Sequence, residues 1–275
     1  MKTIAFTLFF SSLSLVFFSQ DVNYFWDHQF SNSSVGNINA QVYSGDGDLF
    51  MCVNSGITDL DPSISDIMSP DGTKVIHYSK RKELVKYVAF TWEPNFIGMI
   101  ETRDSGLLLY GHFSYDFDAD PGIGVFQITK VGSYMNAFII KLDYNLEFEW
   151  ASSLSTNTNA IISNLDIDNN NNVFYTSNAG ASTIYNSPTS VQTQNIDNSF
   201  LMKLNENGEY LTHLVFDAAG SSSIKPRDLE VHENRAYVTL TANNSFDIDS
   251  ASSVVTVNQS GVDDAVLLKY TSDLD

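Results

Sequence analysis

The stretch FIIKLDYNLEFEW (138–150) returns as FLMKLNENGEYLT (200–212), and its first half returns again as VLLKYTSDLD (266–275). Each copy opens on three apolar residues followed by a lysine, at Lys141, Lys203 and Lys269. An Asn or Asp and then a small residue precede each run: Asn136-Ala137, Asn198-Ser199 and Asp264-Ala265. A degenerate copy, KVIHYSKRKELVKY (74–87), sets His77 where the lysines stand. A chain that echoes itself at such long intervals is built from units that bury their apolar faces against one another.

Two further landmarks keep the same time. DLFMCVNSGITDLDPS, LLLYGHFSYDFDADPG, VFYTSNAGASTIYNSP and AYVTLTANNSFDIDSA bring Asp61, Asp120, Asn186 and Asp249 into register, with separations of 59, 66 and 63 residues. The strand after the lysine block is marked by Trp26, Tyr87, Trp150 and Thr212, separated by 61, 63 and 62 residues. Within each unit Phe138, Ile140 and Leu142 alternate with Ile139 and Lys141, the period of a sheet. NVFYTSN and RAYVTLT are β-branched and aromatic runs. The turn signals SGDGD (44–48), RDSG (103–106), DNNNN (168–172), NENG (205–208) and NQSG (258–261) separate such segments. No capped amphipathic segment reaches helical length. The expected fold is all-β, a β-propeller of about four units near 62 residues, at 26–86, 87–149, 150–211 and 212–275. A β-sandwich needs no such period, and a β-helix has much shorter coils.

NYFWDHQF (23–30) matches EFEWASSL (147–154). An N-terminal strand of this kind would complete the last unit and close a four-bladed ring. The alternative is that the chain is the first part of a larger propeller. Both stay open at this point.

Composition narrows the function classes. The chain has 275 residues with 33 acidic against 14 basic side chains, a net charge of -19. That balance argues against nucleic acid, which needs clustered Lys and Arg. Residues 1–20, MKTIAFTLFFSSLSLVFFSQ, carry one lysine and an apolar run and read as a secretory signal peptide. No other segment is long and apolar enough to span a bilayer, so the mature chain is expected to have no membrane span, and an extracellular, outer-surface or periplasmic location follows. Cys52 is the single cysteine, so an exported chain would have no internal disulfide; its apolar neighbours place it on a buried strand.

LLLYGHFSYDFDADPG followed by AFIIKLDYNLEFEW resembles the SBBP-like β-propeller repeat of exported bacterial proteins, particularly those of the Bacteroidetes. The second unit matches well, the third and fourth moderately and the first poorly. The resemblance covers most of residues 23–275 and implies a propeller on the cell surface or outside it. It implies no catalytic residue, because the repeat pattern has none established. Many such proteins carry a C-terminal sorting domain for the type IX secretion route, which no stretch here matches; a truncated chain or one retained in the periplasm would fit.

The acidic stretch SYDFDADPGIG (114–124) sets Asp116, Asp118 and Asp120 at positions 1, 3 and 5 of a calcium loop. Pro121 then stands where such a loop needs glycine, and Gln127 where it needs the bidentate acid. These aspartates therefore read as turn caps, with weak calcium binding as the alternative and no other cofactor implied. His28, His77, His112, His213 and His232 form no zinc spacing and read as scattered surface or edge positions. There is no nucleophile elbow, and GIG (122–124) is followed by no helix. The recurrent lysines read as solvent-facing strand positions, and the aromatics in register, Phe138 with Phe200 and Phe148 with Tyr210, as core. The expected function is an exported, non-enzymatic binding or scaffold module with a protein or glycan ligand on one propeller face. The alternative is a polysaccharide-active hydrolase or lyase using a carboxylate pair.

Overall fold

The computed structural model describes residues 36–61, 67–90, 94–178, 183–194, 199–218, 224–248, 256–258 and 263–274. Residues 1–20, expected as a signal peptide, Trp26 with its expected strand, His28, Asn198 and Asp249 lie outside the described residues. Every regular element is a β-strand, and no helix among the described residues is long and apolar enough to cross a membrane.

The strands fall into successive groups. The first comprises β1 (Asn37–Tyr43), β2 (Leu49–Ser55), β3 (Thr58–Asp59), β4 (Met68–Ser69), β5 (Gly72–Tyr78) and β6 (Leu84–Phe90). The second comprises β7 (Asn95–Glu101), β8 (Leu107–Phe113), β9 (Phe117–Asp118), β10 (Gln127–Ile128), β11 (Asn136–Leu142) and β12 (Phe148–Ser155). The third comprises β13 (Ile161–Ile167), β14 (Val173–Asn178), β15 (Thr183–Asn186), β16 (Val191–Gln194), β17 (Phe200–Leu204) and β18 (Tyr210–Val215). The last comprises β19 (Asp217–Ala218), β20 (Ile224–His232), β21 (Arg235–Ala242), β22 (Phe246–Asp247), β23 (Thr256–Val257) and β24 (Asp264–Thr271).

Two sheets are antiparallel meanders in the orders β1-β2-β5-β6 and β13-β14-β17-β18, and β7-β8-β11-β12 has the same order within a larger sheet. The last sheet, β20-β21-β24, follows the order for three strands, with no fourth among the described residues. A small hairpin interrupts each path between second and third strands: β3/β4, β9/β10, β15/β16 and β22/β23. Two of these hairpins annex the preceding sheet. β15 pairs with β12, which makes the second sheet six-stranded, and β19 extends from β18 to pair with β22.

The irregularities recur at matching places. The first strand of each sheet bulges, between Ile38 and Ala40, Phe96 and Gly98, Ile162 and Asn164, and Pro226 and Asp228. Lys82, Leu146, Gly208 and Leu274 all take positive φ, between 60° and 76°, at the turn after the third strand. Such a residue lets a tight hairpin follow the strands' right-handed twist. The sequence units 26–86, 87–149, 150–211 and 212–275 are phased on Trp26, Tyr87, Trp150 and Thr212, and Tyr87, Trp150 and Thr212 stand on the fourth strands β6, β12 and β18; the sheets themselves begin at Asn37, Asn95, Ile161 and Ile224.

The core lies between neighbouring sheets. Phe50, Val75 and Phe90 of the first pack with Phe96, Leu109 and Phe138 of the second. The other face of the second sheet, with Leu108, Ile139 and Trp150, packs with Ile162, Leu165 and Met202 of the third. Phe174, Leu201 and Phe216 continue the pattern into Leu229, Val238 and Leu268 of the last. β5, β11 and β17 are therefore buried on both faces, which explains apolar runs such as FII in place of strict alternation. First strands are also stitched side by side. Asn39 Nδ2 donates to the Phe96 carbonyl (3.2 Å), Asn164 Nδ2 to the Arg227 carbonyl (3.2 Å), and the Val231 N–H to Asp166 Oδ2 (2.6 Å).

This stacking corrects the expectation for the lysines. Lys141 and Lys203 are 5% and 7% exposed, because the following sheet covers the position; of the three recurrent lysines, Lys269 alone is exposed. Lys141 Nζ pairs with Asp104 Oδ2 (2.8 Å) and Glu149 Oε2 (3.0 Å), and Lys203 Nζ donates to the Ser272 carbonyl (2.7 Å). The aromatics Phe138 and Phe200 are core as expected, both fully buried, and so is Cys52, whose thiol burial pushes far above its ordinary pKa.

Candidate binding face at the hairpin end of the sheets

In an up-and-down sheet the first–second and third–fourth turns lie at one end, and the small hairpins at the other. The two ends differ in chemistry. At the turn end, short polar residues fold the backbone on itself. Asp143 Oδ1 accepts from the N–H of Asn145 and of Glu147 (both 2.8 Å), and Asn205 Oδ1 repeats this with Asn207 and Glu209 (3.0 and 2.8 Å). Asp168 Oδ1 does the same with Asn170 and Asn172 (2.8 and 2.9 Å). The first sheet's His77 meets the second sheet's turn here. His77 Nε2 lies 2.8 Å from Asp48 Oδ2, and Tyr144 Oη donates to the same oxygen at 2.5 Å. The Tyr144 hydrogen bond, helped by those from His77 and the Lys80 N–H, outweighs partial burial and holds Asp48 down to about 2.

The hairpin end is where the chain exposes its apolar side chains. Among the described residues, nine of the fifteen large exposed hydrophobics lie in the connections between second and third strands. Tyr115, Ile123, Val125 and Tyr134 of the second sheet are 74%, 108%, 76% and 49% exposed, and Val191 of the neighbouring hairpin is 65% exposed. Clustered exposed apolar surface of this kind marks interaction sites more often than isolated side chains do. A cleft of about 330 Å³ runs between the β10 hairpin, β12 and the β15 hairpin, and exposed Val131 of the same connection lines it. Its wall carries Phe126 and Val131 with Gln127, Ser153, Asn186 and Ser187, and no charged residue lines it. Asn186 Nδ2 donates to Ser153 Oγ (3.1 Å), fastening the annexed β15 to β12 in the cleft wall. Ser187 Oγ and Thr189 Oγ1 each donate to Glu209 at 2.6 Å, and these bonds overcome burial to hold that carboxyl below its ordinary range.

Asp116, Asp118 and Asp120 lie at this end too, and each is engaged with its own loop. Asp118 Oδ1 accepts from the N–H of Asp120 (3.1 Å) and of Phe126 (2.8 Å), Asp120 Oδ1 from Gly122 N–H (2.8 Å), and Asp116 Oδ1 from Lys130 N–H (2.7 Å). In the first sheet Asp59 Oδ1 makes the same pair of bonds, from Asp61 N–H (3.0 Å) and Ile67 N–H (2.8 Å). Among the described residues no group of three or more His, Cys, Asp or Glu is placed to hold a metal ion.

The histidines are not all at the surface. His77 is 3% exposed and stacks on Phe50, a correction that follows from its sharing the covered lysine position. His112 Nε2 meets Asn95 Nδ2 (2.9 Å) and His213 Nδ1 meets Tyr210 Oη (2.7 Å); burial lowers the pKa of both rings. The cleft itself escapes sequence reasoning, because Ser153 and Asn186 come together only when one sheet annexes the next sheet's hairpin. Compared with known proteins, the chain matches no family model and no curated relative.

Proposed function

We propose that the chain is an exported, non-enzymatic binding or scaffold module built as a β-propeller of SBBP-like repeats, whose ligand, a protein or a glycan, docks on the hairpin face. The polarity difference between the two ends carries this reading: hydrogen-bonded turns at one, and at the other exposed Tyr115, Ile123, Val125 and Tyr134 in the same connection whose Phe126 and Val131 wall an uncharged cleft. Rigid sheets position such loops, and loops supply specificity. The purified chain from residue 21 onward, passed over immobilised polysaccharides and surface proteins, should be retained on a ligand without consuming it. Ile123→Asp with Val125→Asp should abolish retention and leave the melting temperature unchanged. Release of new reducing ends, or retention indifferent to those substitutions, would sink the proposal.

A further inference from the structure

The cleft between the β10 hairpin, β12 and the β15 hairpin sets neutral hydrogen-bonding groups beside apolar surface. Gln127, Thr129, Ser153 and Asn186 supply amides and hydroxyls, and Phe126 and Val131 the apolar part. Charge is kept out of it. Lys130 stands between two lining residues, yet its Nζ turns back to donate to the Gly132 carbonyl. The Glu209 carboxyl accepts from the lining residue Ser187 and from Thr189, at 2.6 Å each, and does not itself line the cleft. The polar groups are held in place with bonding capacity left over. Asn186 Nδ2 donates to Ser153 Oγ (3.1 Å), and neither side chain makes another hydrogen bond among the described residues. The second Nδ2 hydrogen and the Oδ1 of Asn186, and the Ser153 proton, are therefore unused. Ser153 is 6% exposed, so bulk water serves that proton poorly. Gln127 Nε2 donates to the Ile128 carbonyl (3.3 Å), which leaves Oε1 as an acceptor. Phe126 rests against Phe148, with ring centroids 5.1 Å apart, so the apolar wall is fixed as well.

We propose that this cleft is a sugar subsite, taking a neutral hexose or pentose unit of a glycan; the proposal rests on the reading of the hairpin face as the binding end. An ionic ligand finds no counter-charge there, and a chain of net charge -19 repels anions further. A wholly apolar ligand would bury the unused groups of Asn186, Ser153 and Gln127 without partners, which costs free energy. A sugar ring answers both parts of the wall. Its hydroxyls donate and accept without charge along the edge, and its C–H groups give the faces that Phe126 and Val131 meet. The volume of about 330 Å³ lies at the small end of ligand sites, room for a sugar unit or two. A peptide is the poorer occupant, because β12 and β15 are interior strands of their sheet and do not invite strand addition.

The test is titration calorimetry of the chain from residue 21 with neutral disaccharides of glucose, mannose, galactose and xylose. At least one should bind. Asn186→Leu removes both unused amide functions and should weaken that binding about tenfold or more. Thr129→Arg, at an exposed position, adds a long charged side chain to the lining and should weaken it comparably, which keeps the test decisive if the Asn186 variant fails to fold. Ile123→Asp with Val125→Asp, outside the lining, should leave the disaccharide affinity unchanged. Binding of none of the four sugars, or an affinity untouched at both Asn186 and Thr129, would overturn the proposal. Retention on a surface protein through Ile123 and Val125, with no sugar bound, would overturn the subsite alone and leave the binding face standing. Sugar affinity lost in the cleft variants, with retention indifferent to Ile123 and Val125, would support the subsite and sink the apolar part of that reading.

Discussion

His77 lies flat on Phe50, with ring centroids 4.2 Å apart and planes 25° from parallel. The third and last sheets hold the same pair of positions as Lys203 over Phe174 and Lys269 over Tyr237. A cation or a flat ring on an aromatic face is a recurring device here. In the first sheet the next sheet's turn closes over it, bringing Tyr144 edge-on to His77 at 5.0 Å. The junction is thus a packing site first and a charge site second.

Asp48 makes this junction sensitive to acid. Its carboxyl is held to about 2, chiefly by Tyr144, against an ordinary 3.8. A lowered folded-state pKa contributes stability that is complete above the unfolded value and disappears as pH falls through the folded one. The wild-type chain should therefore lose stability steeply between pH about 4 and 2. Asp48→Asn should cost about 1–2 kcal/mol near neutrality and flatten that loss. Urea midpoints taken across this range would check it; parallel curves for the two proteins would show that the carboxylate contributes nothing.

Asp118 tests the acidic loop. Its Oδ1 accepts two backbone N–H groups, and Asp118→Ala strands both, at a cost of about 1–2 kcal/mol. Calcium should not change the melting temperature of either protein. A rise on adding calcium in wild type but not in Asp118→Ala would reassign the aspartates from turn staple to ligand.

How far the sequence speaks depends on which faces a residue serves. The third strand is legible because burial on both faces writes an apolar run with one lysine, and the spacing alone sets His77 in register with those lysines. The first strands are not: NINAQVY (37–43) lies at the edge of its sheet and stays largely exposed, so nothing forces its pattern to alternate. Lys141 misleads because a strand lysine next to apolar residues is ordinarily solvated, and only the packing of successive sheets removes water from it. The pairing of Ser153 with Asn186 joins the fourth strand of one group to a hairpin of the next, so no periodicity within one unit announces it.

Lys74 extends that lesson. It is fully buried, and its Nζ donates to the carbonyls of Ser55 (2.6 Å), Gly72 (2.8 Å) and Gly56 (3.3 Å) and to Ser55 Oγ (3.1 Å). The ammonium gathers the start of the first hairpin around one point. Lys74→Met keeps the stem's volume and leaves those acceptors without a donor, so it should cost about 3 kcal/mol. Amide exchange should quicken first around Ser55 and Gly56. A methionine variant as stable as wild type would mean that water replaces the ammonium there.

Gly208 separates backbone strain from crowding. Its φ of 76° is shared by Lys82 (70°) and Leu146 (60°) at the same turn position, so side chains bear that conformation in this fold. What differs is the neighbour. A Cβ on Gly208 would come within 2.6 Å of the Trp150 ring, which is 6% exposed and fixed by a bond from its Nε1 to the Glu206 carbonyl at 3.0 Å. Gly208→Ala should therefore cost about 1 kcal/mol for the dihedral and a further 1–3 kcal/mol, roughly, for pushing the indole. Leu146→Gly relieves the dihedral but empties a core position that is 1% exposed, and should cost about 2 kcal/mol. In a Trp150→Phe background the smaller ring gives the new methyl room, and Gly208→Ala should fall to the dihedral cost alone. Denaturant unfolding of the four proteins in that cycle measures the coupling; additive losses would show that the close approach of Gly208 to Trp150 is not what keeps glycine there.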